Sequence, residues 1–199
     1  NDRIVLDFGS AAIVGLDTAQ GTMLLEMLPN AAPNSVTNFL NYVSDGDYNS
    51  SIIHRSIPSF IVQGGGFATP STTLNSVNDL TSIPTNPAIV NEFNVSNTRG
   101  TVAMAKLSGD PDSATSQWFV NLADNGSNLD AQNGGFTVFA QVLDMSVPDA
   151  IAAIERQNLG GAFTDLPVAP GNTLVVISEA FGDGVVSGRV YVDENLSGI

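Results

Sequence analysis

The chain has 199 residues, 43% of them hydrophobic and 13% charged, which favours one domain with a sizeable core and excludes wholesale disorder. The chain has 6 Lys and Arg residues and 20 Asp and Glu residues. The resulting net charge of -14 argues against nucleic-acid binding and for a monomer. There is no cysteine and one histidine, and no apolar run approaches the ~18 residues of a membrane span, so we expect no metal, no cofactor and no membrane insertion.

The first predicted elements are two short strands, at residues 4–8 and 21–28, joined by a mixed segment that fits an irregular hairpin. The clearest helix signal follows, with Pro33 in its first turn and Gly46 where a helix would end. Four apolar residues within it have the i, i+3, i+4, i+7 spacing of one helix face: Val36, Phe39, Leu40 and Val43.

The middle of the chain predicts a strand at 51–62, interrupted by Pro58 and closed by glycines, and then a long ordered loop at 67–91. The later predicted elements are strands at 101–105, 117–122, 136–143 and 173–178 and a helix at 148–156. Many short strands with only two helices predict a mainly β fold, either a barrel or a sandwich.

The composition changes at residue 182, so we expect a domain at 1–181 and a tail at 182–199 that begins a further segment of a longer chain. The tail contains a short strand-like run. Its last residues match the first half of a calcium-binding loop at Asp193, Asn195, Ser197 and Gly198. An acidic turn after a strand is the simpler interpretation.

His54 and Arg55 lie together in a mostly apolar segment, where a charge is costly unless it is paired or functional. Taken alone, Arg55 fits either a salt-bridge partner on a sheet surface or a functional cation. For His54 we expect a structural imidazole with its hydrogen bonds satisfied.

A second group of candidate residues surrounds Phe119. Because side chains alternate along a strand, Gln117 and Phe119 should share one face and Trp118 the other. Phe60 and Phe119 would then line one apolar pocket with Gln63 and Gln117 at its edge, although core packing also accounts for either phenylalanine alone.

Two long runs carry a resemblance to a known family. The run IIHRSIPSFIVQGGGF, residues 52–67, closely resembles the F-H-R-x-I-P-x-F-x-x-Q-G-G-x-F signature of cyclophilins, the peptidyl-prolyl cis-trans isomerases. The run NTRGTVAMAKLSGDPDSATSQWFVNLADN, residues 97–125, is similar to their second signature in its bacterial form. The runs PNSVTNFLNYVSDGDY, NLD and FTVFAQV also stand in the family's order, so the resemblance covers about residues 4–181.

The resemblance implies a closed eight-stranded antiparallel β-barrel capped by two α-helices. It makes Arg55 the catalytic arginine, with Gln63 holding either the substrate carbonyl or Arg55 itself. The other residues that match substrate-binding positions are Phe60, Ile61, Ala105, Lys106, Gln117, Phe119, Asn128, Leu129 and Phe136. Among them Ala105 and Lys106 match the strand edge that pairs with substrate backbone.

The chain departs from the family at several positions. Ile61 replaces a frequent Met, and Lys106 replaces a common Asn. Asn128 stands where many members carry a Trp that contacts cyclosporin, so we expect cyclosporin to bind with weakened affinity. Phe136 stands where eukaryotic members have His.

We therefore expect an isomerase of X-Pro bonds in unfolded or exported polypeptides, acting in the periplasm or outside the cell. The absent Cys, the acidic composition and a first residue other than Met favour that location. The alternative is a catalytically weak docking module for proline-containing peptides within a larger exported protein.

Overall fold

The computed structural model describes residues 12–182. Within this range lie three α-helices, α1 (Pro33–Asp45), α2 (Gly126–Leu129) and α3 (Ser146–Ala152), and two 3-10 turns, Val77–Asp79 and Gly161–Phe163. The strands in chain order are β1 (Ile13–Thr18), β2 (Gly21–Met27), β3 (Ser51–Ile52), β4 (Arg55–Ile57), β5 (Ile61–Gly64), β6 (Phe67–Ala68), β7 (Thr81–Ser82), β8 (Thr101–Met104), β9 (Trp118–Asn121), β10 (Val138–Val142), β11 (Arg156–Gln157), β12 (Leu166–Ala169), β13 (Thr173–Leu174), β14 (Val176–Ile177) and β15 (Glu179–Gly182).

Eight of these strands form one antiparallel sheet in the order β15-β1-β2-β10-β8-β9-β5-β4. Within the described residues its two edge strands, β15 and β4, do not pair, so the sheet is an open half-barrel and the predicted closed eight-stranded barrel is wrong. The other strands form a four-stranded sheet, β14-β3-β6-β7, and a three-stranded sheet, β11-β12-β13.

The break between the sheets lies at residues 53–54, inside the strand predicted at 51–62. The amide of Ile53 donates to Val175 O at 2.9 Å, whereas the amide of His54 donates to Gln63 O at 3.1 Å. The chain therefore changes hydrogen-bonding partner between two adjacent residues. The strand predicted at 173–178 is likewise divided, because β13 pairs with β12 and β14 pairs with β3.

The main core lies on one face of the eight-stranded sheet. Val62, Val120, Val102 and Ala140 are in register across β5, β9, β8 and β10, and all four pack in this core. Directly opposite residues of antiparallel strands share a face. Their neighbours along each strand must therefore point to the other face, which carries the candidate site.

The helix predicted from Pro33 is confirmed as α1, whose last residue, Asp45, is followed by Gly46 in the left-handed conformation with φ 77°. The residue before the helix is Ala32, and its side chain makes no capping hydrogen bond to the first turn. Glu92, from a distant segment, accepts instead from the amides of Asn34 at 3.0 Å and Ser35 at 2.8 Å. A carboxylate there also complements the positive end of the helix dipole.

The segment before residue 21 does turn back on itself as predicted, but it is not irregular, because β1 is a regular strand paired with both β2 and β15. Gly15 lies in the middle of this strand, and the structure explains the glycine. Phe181 lies opposite Gly15 in β15, and a Cβ on Gly15 would lie 2.4 Å from the Phe181 ring. The glycine leaves room for that ring.

The other differences from prediction concern short elements. The helix expected at 148–156 begins two residues earlier, at Ser146, and ends at Ala152, because Arg156 already pairs with Pro167 in the three-stranded sheet. The short helix α2 was not predicted, so the expected count of two helices is wrong for the described residues. The segment expected as a loop at 67–91 contains β6, β7 and a 3-10 turn.

Two predictions concern residues outside the described range. The strand expected at 4–8 is one, and the tail with its partial calcium loop is the other. The last described strand, β15, includes Gly182, one residue beyond the predicted domain boundary.

Candidate active site

A row of five side chains crosses the sheet on the face opposite the main core. Arg55 on β4 is in register with Gln63 on β5, which is opposite Phe119 on β9. Phe119 is opposite Ala103 on β8, and Ala103 is opposite Val138 on β10. Cross-strand pairing thus places a cation, an amide and apolar side chains in one line.

An apolar cluster extends this row. Its buried members are Ile61, Ala103, Phe119, Leu129 and Val138, and the half-buried side chains packed on them are Leu28, Phe60, Val95, Ala105 and Phe136. Trp118 packs in the main core instead, which confirms the predicted alternation along β9. The rings of Phe119 and Phe136 meet edge to face, with centroids 5.7 Å apart.

The cluster therefore unites all the apolar side chains that the resemblance placed around a substrate proline. Phe119 is 3% exposed and forms its floor, while Phe60 and Phe136 are half-buried and keep part of each ring accessible. A bound apolar ring would gain contact with aromatic surface there and lose water.

A chain of polar side chains borders the cluster. Arg55 Nη1 donates to Gln63 Oε1 at 3.4 Å, and Gln63 Nε2 donates to Gln117 Oε1 at 2.9 Å. The Nε of Arg55 lies 3.9 Å from Asp165 Oδ2, and the side chains of both residues are 36% exposed. The guanidinium is thus held between an amide and a carboxylate at the edge of the cluster, with donors still open to a ligand.

His54 lies beside Arg55 but faces the interior, where its ring meets the Phe67 ring edge-on at 5.1 Å. Burial, followed by the charge of Arg55, lowers the pKa of His54 to about 4. The imidazole is therefore neutral near pH 7. The prediction that the hydrogen bonds of the His54 imidazole are satisfied is only partly right, because Nδ1 is buried without a hydrogen-bond partner among the described residues.

Ala105 and Lys106 follow β8 at the border of the cluster. The amide of Ala105 donates to Gln117 O at 2.9 Å. The Nζ of Lys106 lies 4.9 Å from the centre of the Phe136 ring, and burial lowers the pKa of Lys106 from its usual value. Both residues therefore adjoin the residues predicted to bind substrate.

The helix α2 supplies Leu129 to the cluster and leaves Asn128 exposed, where its Oδ1 accepts from Gln132 Nε2. Asn125, just before this helix, fixes its position. Its Nδ2 donates to Phe60 O at 2.9 Å and to Asn121 Oδ1 at 2.8 Å. Leu129 and Phe60 are therefore tied to one framework.

Sequence reasoning missed two features of this site. Asp165 is 110 positions from Arg55 along the chain, and no motif marks it as a partner of the guanidinium. The contacts of the Lys106 side chain with residues 133–135 were also missed. The one available signal was that Lys106 is the chain's single lysine.

Other features of the described residues offer no competing site. A groove of about 610 Å³ between α1 and residues 86–90 is lined largely by polar side chains and shares no residue with the cluster. Residues 12–182 hold no group of three His, Cys, Asp or Glu side chains arranged for a metal ion. None of the described helices has the length and hydropathy of a membrane span.

Comparison with family models matches residues 13–176 to the family described as cyclophilin type peptidyl-prolyl cis-trans isomerase/CLD. Peptidyl-prolyl cis-trans isomerase A of Dickeya dadantii is 40% identical over 159 residues, or 78% of each chain. Peptidyl-prolyl cis-trans isomerase B of Escherichia coli is 37% identical over 162 residues, covering 78% of this chain and 92% of that protein.

Solved structures support the same fold. A Cryptosporidium parvum cyclophilin type isomerase, crystallised in the presence of the dipeptide Ala-Pro, is 19% identical with a TM-score of 0.62 and covers 84% of this chain and 96% of its own. Cyclophilin AquaCyp293 of Hirschia baltica is 18% identical with a TM-score of 0.61, over 85% of this chain and 73% of its own.

Proposed function

Because the chain belongs to the cyclophilin-type peptidyl-prolyl cis-trans isomerase family and is a peptidyl-prolyl cis-trans isomerase, we propose that Arg55, Gln63 and the apolar cluster form its active site. The observation that carries this proposal is the row across β4, β5 and β9. It sets the guanidinium beside an apolar surface that includes the half-buried rings of Phe60 and Phe136.

The reaction is rotation about an amide bond, and no covalent bond to the substrate has to break. Amide resonance gives the C–N bond partial double-bond character, so the uncatalysed flip has a barrier of about 20 kcal/mol and takes tens of seconds. In the twisted transition state the proline nitrogen gains a lone pair. A catalyst has only to favour that geometry over the planar one.

Arg55 is suited to this role because its charge is permanent and its donors lie in a plane. A hydrogen bond from the guanidinium to the proline nitrogen exists only when the amide is twisted. One such preorganised bond supplies about 2–4 kcal/mol of selective stabilisation. Gln63, which accepts from Arg55 at 3.4 Å and donates to Gln117, keeps the guanidinium directed along the cluster.

The apolar cluster supplies the remaining requirement, which is to hold one side of the rotating bond still. The half-buried rings of Phe60 and Phe136 and the floor at Phe119 hold the proline ring, so the residue before proline rotates around a fixed partner. The structural neighbour from Cryptosporidium parvum was crystallised in the presence of the dipeptide Ala-Pro, which supports proline-containing peptides as the ligand class.

We further propose that the substrates are unfolded or exported polypeptides. The absence of cysteine and the net charge of -14 support activity outside the reducing cytosol. Fractionation of the source cells tests this location, and recovery of the enzyme with the cytosolic fraction would contradict it.

The experiment that tests the site measures cis-to-trans isomerisation of an X-Pro tetrapeptide by wild type and Arg55→Ala. We expect kcat/KM to fall at least about tenfold, or ~1.4 kcal/mol, with the fold intact. Arg156→Ala is the matched control, because it removes one positive charge from an exposed position on β11. This control should retain wild-type activity.

Two results would change the interpretation. A folded Arg55→Ala variant with wild-type activity would exclude Arg55 from catalysis. A wild-type protein that binds proline peptides without accelerating their isomerisation would support the docking module instead.

A further inference from the structure

The ammonium group of Lys106 lies in a cradle of oxygen atoms. Its Nζ donates to the carbonyl oxygens of Asn133 at 2.8 Å and Gly135 at 2.5 Å, and to Asn91 Oδ1 at 3.3 Å. The two salt bridges among the described residues are both made by arginines. The ammonium of Lys106 therefore has no carboxylate of residues 12–182 within salt-bridge distance, and its charge is stabilised by these dipoles, by the Phe136 ring 4.9 Å away and by the negative charge of Asp112.

The cradle belongs to a turn whose carbonyl oxygens are bound by side chains from other segments. Asn133, Gly134 and Gly135 are three consecutive residues in the left-handed region, with φ of 50°, 77° and 78°. Asn adopts this conformation more readily than other residues with a side chain, and the Nδ2 of Asn133 also donates to Leu107 O at 2.9 Å. Side chains bind all three carbonyl oxygens of the turn. Asn91 Nδ2 donates to Gly134 O at 2.7 Å, and Lys106 Nζ donates to the carbonyl oxygens of Asn133 and Gly135.

The turn leads directly into the apolar cluster, since the next residue is Phe136. The amide of Phe136 donates to Leu129 O at 3.2 Å, and its ring packs edge to face on Phe119. The Lys106 ammonium therefore contacts the turn before Phe136 and the Phe136 ring itself. Loss of the ammonium would release both contacts together.

We propose that Lys106 is a positioning residue whose side chain holds the turn 133–135 and the ring of Phe136, and so sets one wall of the proline-binding surface. This role rests on the proposed function of the apolar cluster. It is separate from the backbone contact implied for this position, because it depends on the ammonium group. Substrate would meet Phe136, and Lys106 acts through that ring.

The first test is spectroscopic and uses the wild-type protein, because a chain with a single lysine gives one side-chain signal after labelling with 15N,13C-lysine. We expect slowly exchanging Nζ protons at neutral pH and Hε protons shifted upfield by the Phe136 ring, with the urea-unfolded protein as reference. Signals matching those of the unfolded protein would overturn the proposal.

The second test is kinetic and compares Lys106→Met, Lys106→Arg and the matched charge control Arg156→Met. The cluster holds the proline ring in the ground state and the transition state alike, so Lys106→Met should raise KM about tenfold and leave kcat within about twofold. Lys106→Arg should restore most of the affinity, because a cation with several donors is kept. The control should keep the wild-type KM.

The outcomes separate this proposal from the proposed function. An unchanged KM in a folded Lys106→Met variant overturns the role of Lys106 while the enzyme activity stands. If wild type itself lacks turnover, the proposed function fails. The positioning role of Lys106 is then tested by the nuclear Overhauser contact between the Phe136 and Phe119 rings, compared in wild type and Lys106→Met. Loss of that contact in Lys106→Met supports the positioning role, and full retention overturns it.

Discussion

Between pH 7.5 and pH 5, acid should destabilise this protein mainly through His54, because the pKa values of Asp130 and Asp144 are lowered and these carboxyl groups take up protons only at lower pH. His54 is the only histidine in the chain, it is 3% exposed, and its buried Nδ1 has no hydrogen-bond partner among residues 12–182. Burial, aided by the charge of Arg55, lowers the pKa of His54 from 6.5 to about 4. The unfolded chain therefore takes up a proton at a higher pH than the folded chain does.

The sign and size of the effect follow from this difference in proton binding. The stability linked to neutral His54 is fully present above the unfolded pKa of 6.5 and is lost as the pH falls through the folded value of about 4. For one proton the free energy of unfolding at pH 5 should be about 2 kcal/mol lower than at pH 7.5.

Urea denaturation followed by the fluorescence of Trp118 measures this change, because Trp118 is the single tryptophan and is fully buried. The measurements should be made at pH 7.5, 6 and 5 in about 0.3 M NaCl, which screens the repulsion among surface carboxylates. His54→Gln is the control, since it removes the titrating group and should flatten the pH dependence between 7.5 and 5.

Two observations would refute the reasoning. One is an equal loss of stability between pH 7.5 and pH 5 in wild type and His54→Gln. The other is an NMR titration in which the His54 ring protons of the folded protein titrate near 6.5.

Three further predictions concern binding, catalysis and assembly. Arg55→Lys should lower kcat/KM at least about tenfold, because it keeps the charge but loses the planar donors, and equal activity in the peptide assay would contradict this. Cyclosporin should inhibit wild type weakly and Asn128→Trp more strongly, since Asn128 is exposed beside Leu129 at the edge of the cluster, and nanomolar inhibition of wild type would oppose this. Sedimentation should find a monomer, as the net charge of -14 opposes self-association, and a dimer at micromolar concentration would argue otherwise.

Local patterns along the chain predicted the elements whose stability depends on near neighbours. The spacing of apolar residues and the glycine at 46 located α1, because a helix is specified by contacts three and four residues apart. Alternation along β9 placed Phe119 and Trp118 on opposite faces of the sheet, because the direction of a side chain in a strand depends only on its position relative to adjacent residues. Gly15 shows the limit of this reasoning, because its place in β1 depends on Phe181, which is 166 positions later.

The resemblance in residues 52–67 and 97–125 named the family and its expected substrate-binding residues. The structure places these in one cluster and one polar chain, except for Lys106 and Asn128, which lie beside the cluster. The resemblance also implied a closed barrel, and there it was wrong. Whether a sheet closes depends on the pairing of its edge strands, and here the chain changes sheets at residues 53–54.

The sequence by itself determined the chemistry of this protein: an arginine in an apolar strand, glutamines and aromatic rings at family spacing, and no cysteine or cluster of histidines. Only the tertiary structure decided how those groups are held. Asp165 beside Arg55 and the carbonyl oxygens around Lys106 are contacts between distant segments, and no local pattern specifies them. The sequence specifies which side chains are present, whereas the folded backbone determines which distant groups lie close enough to contact them.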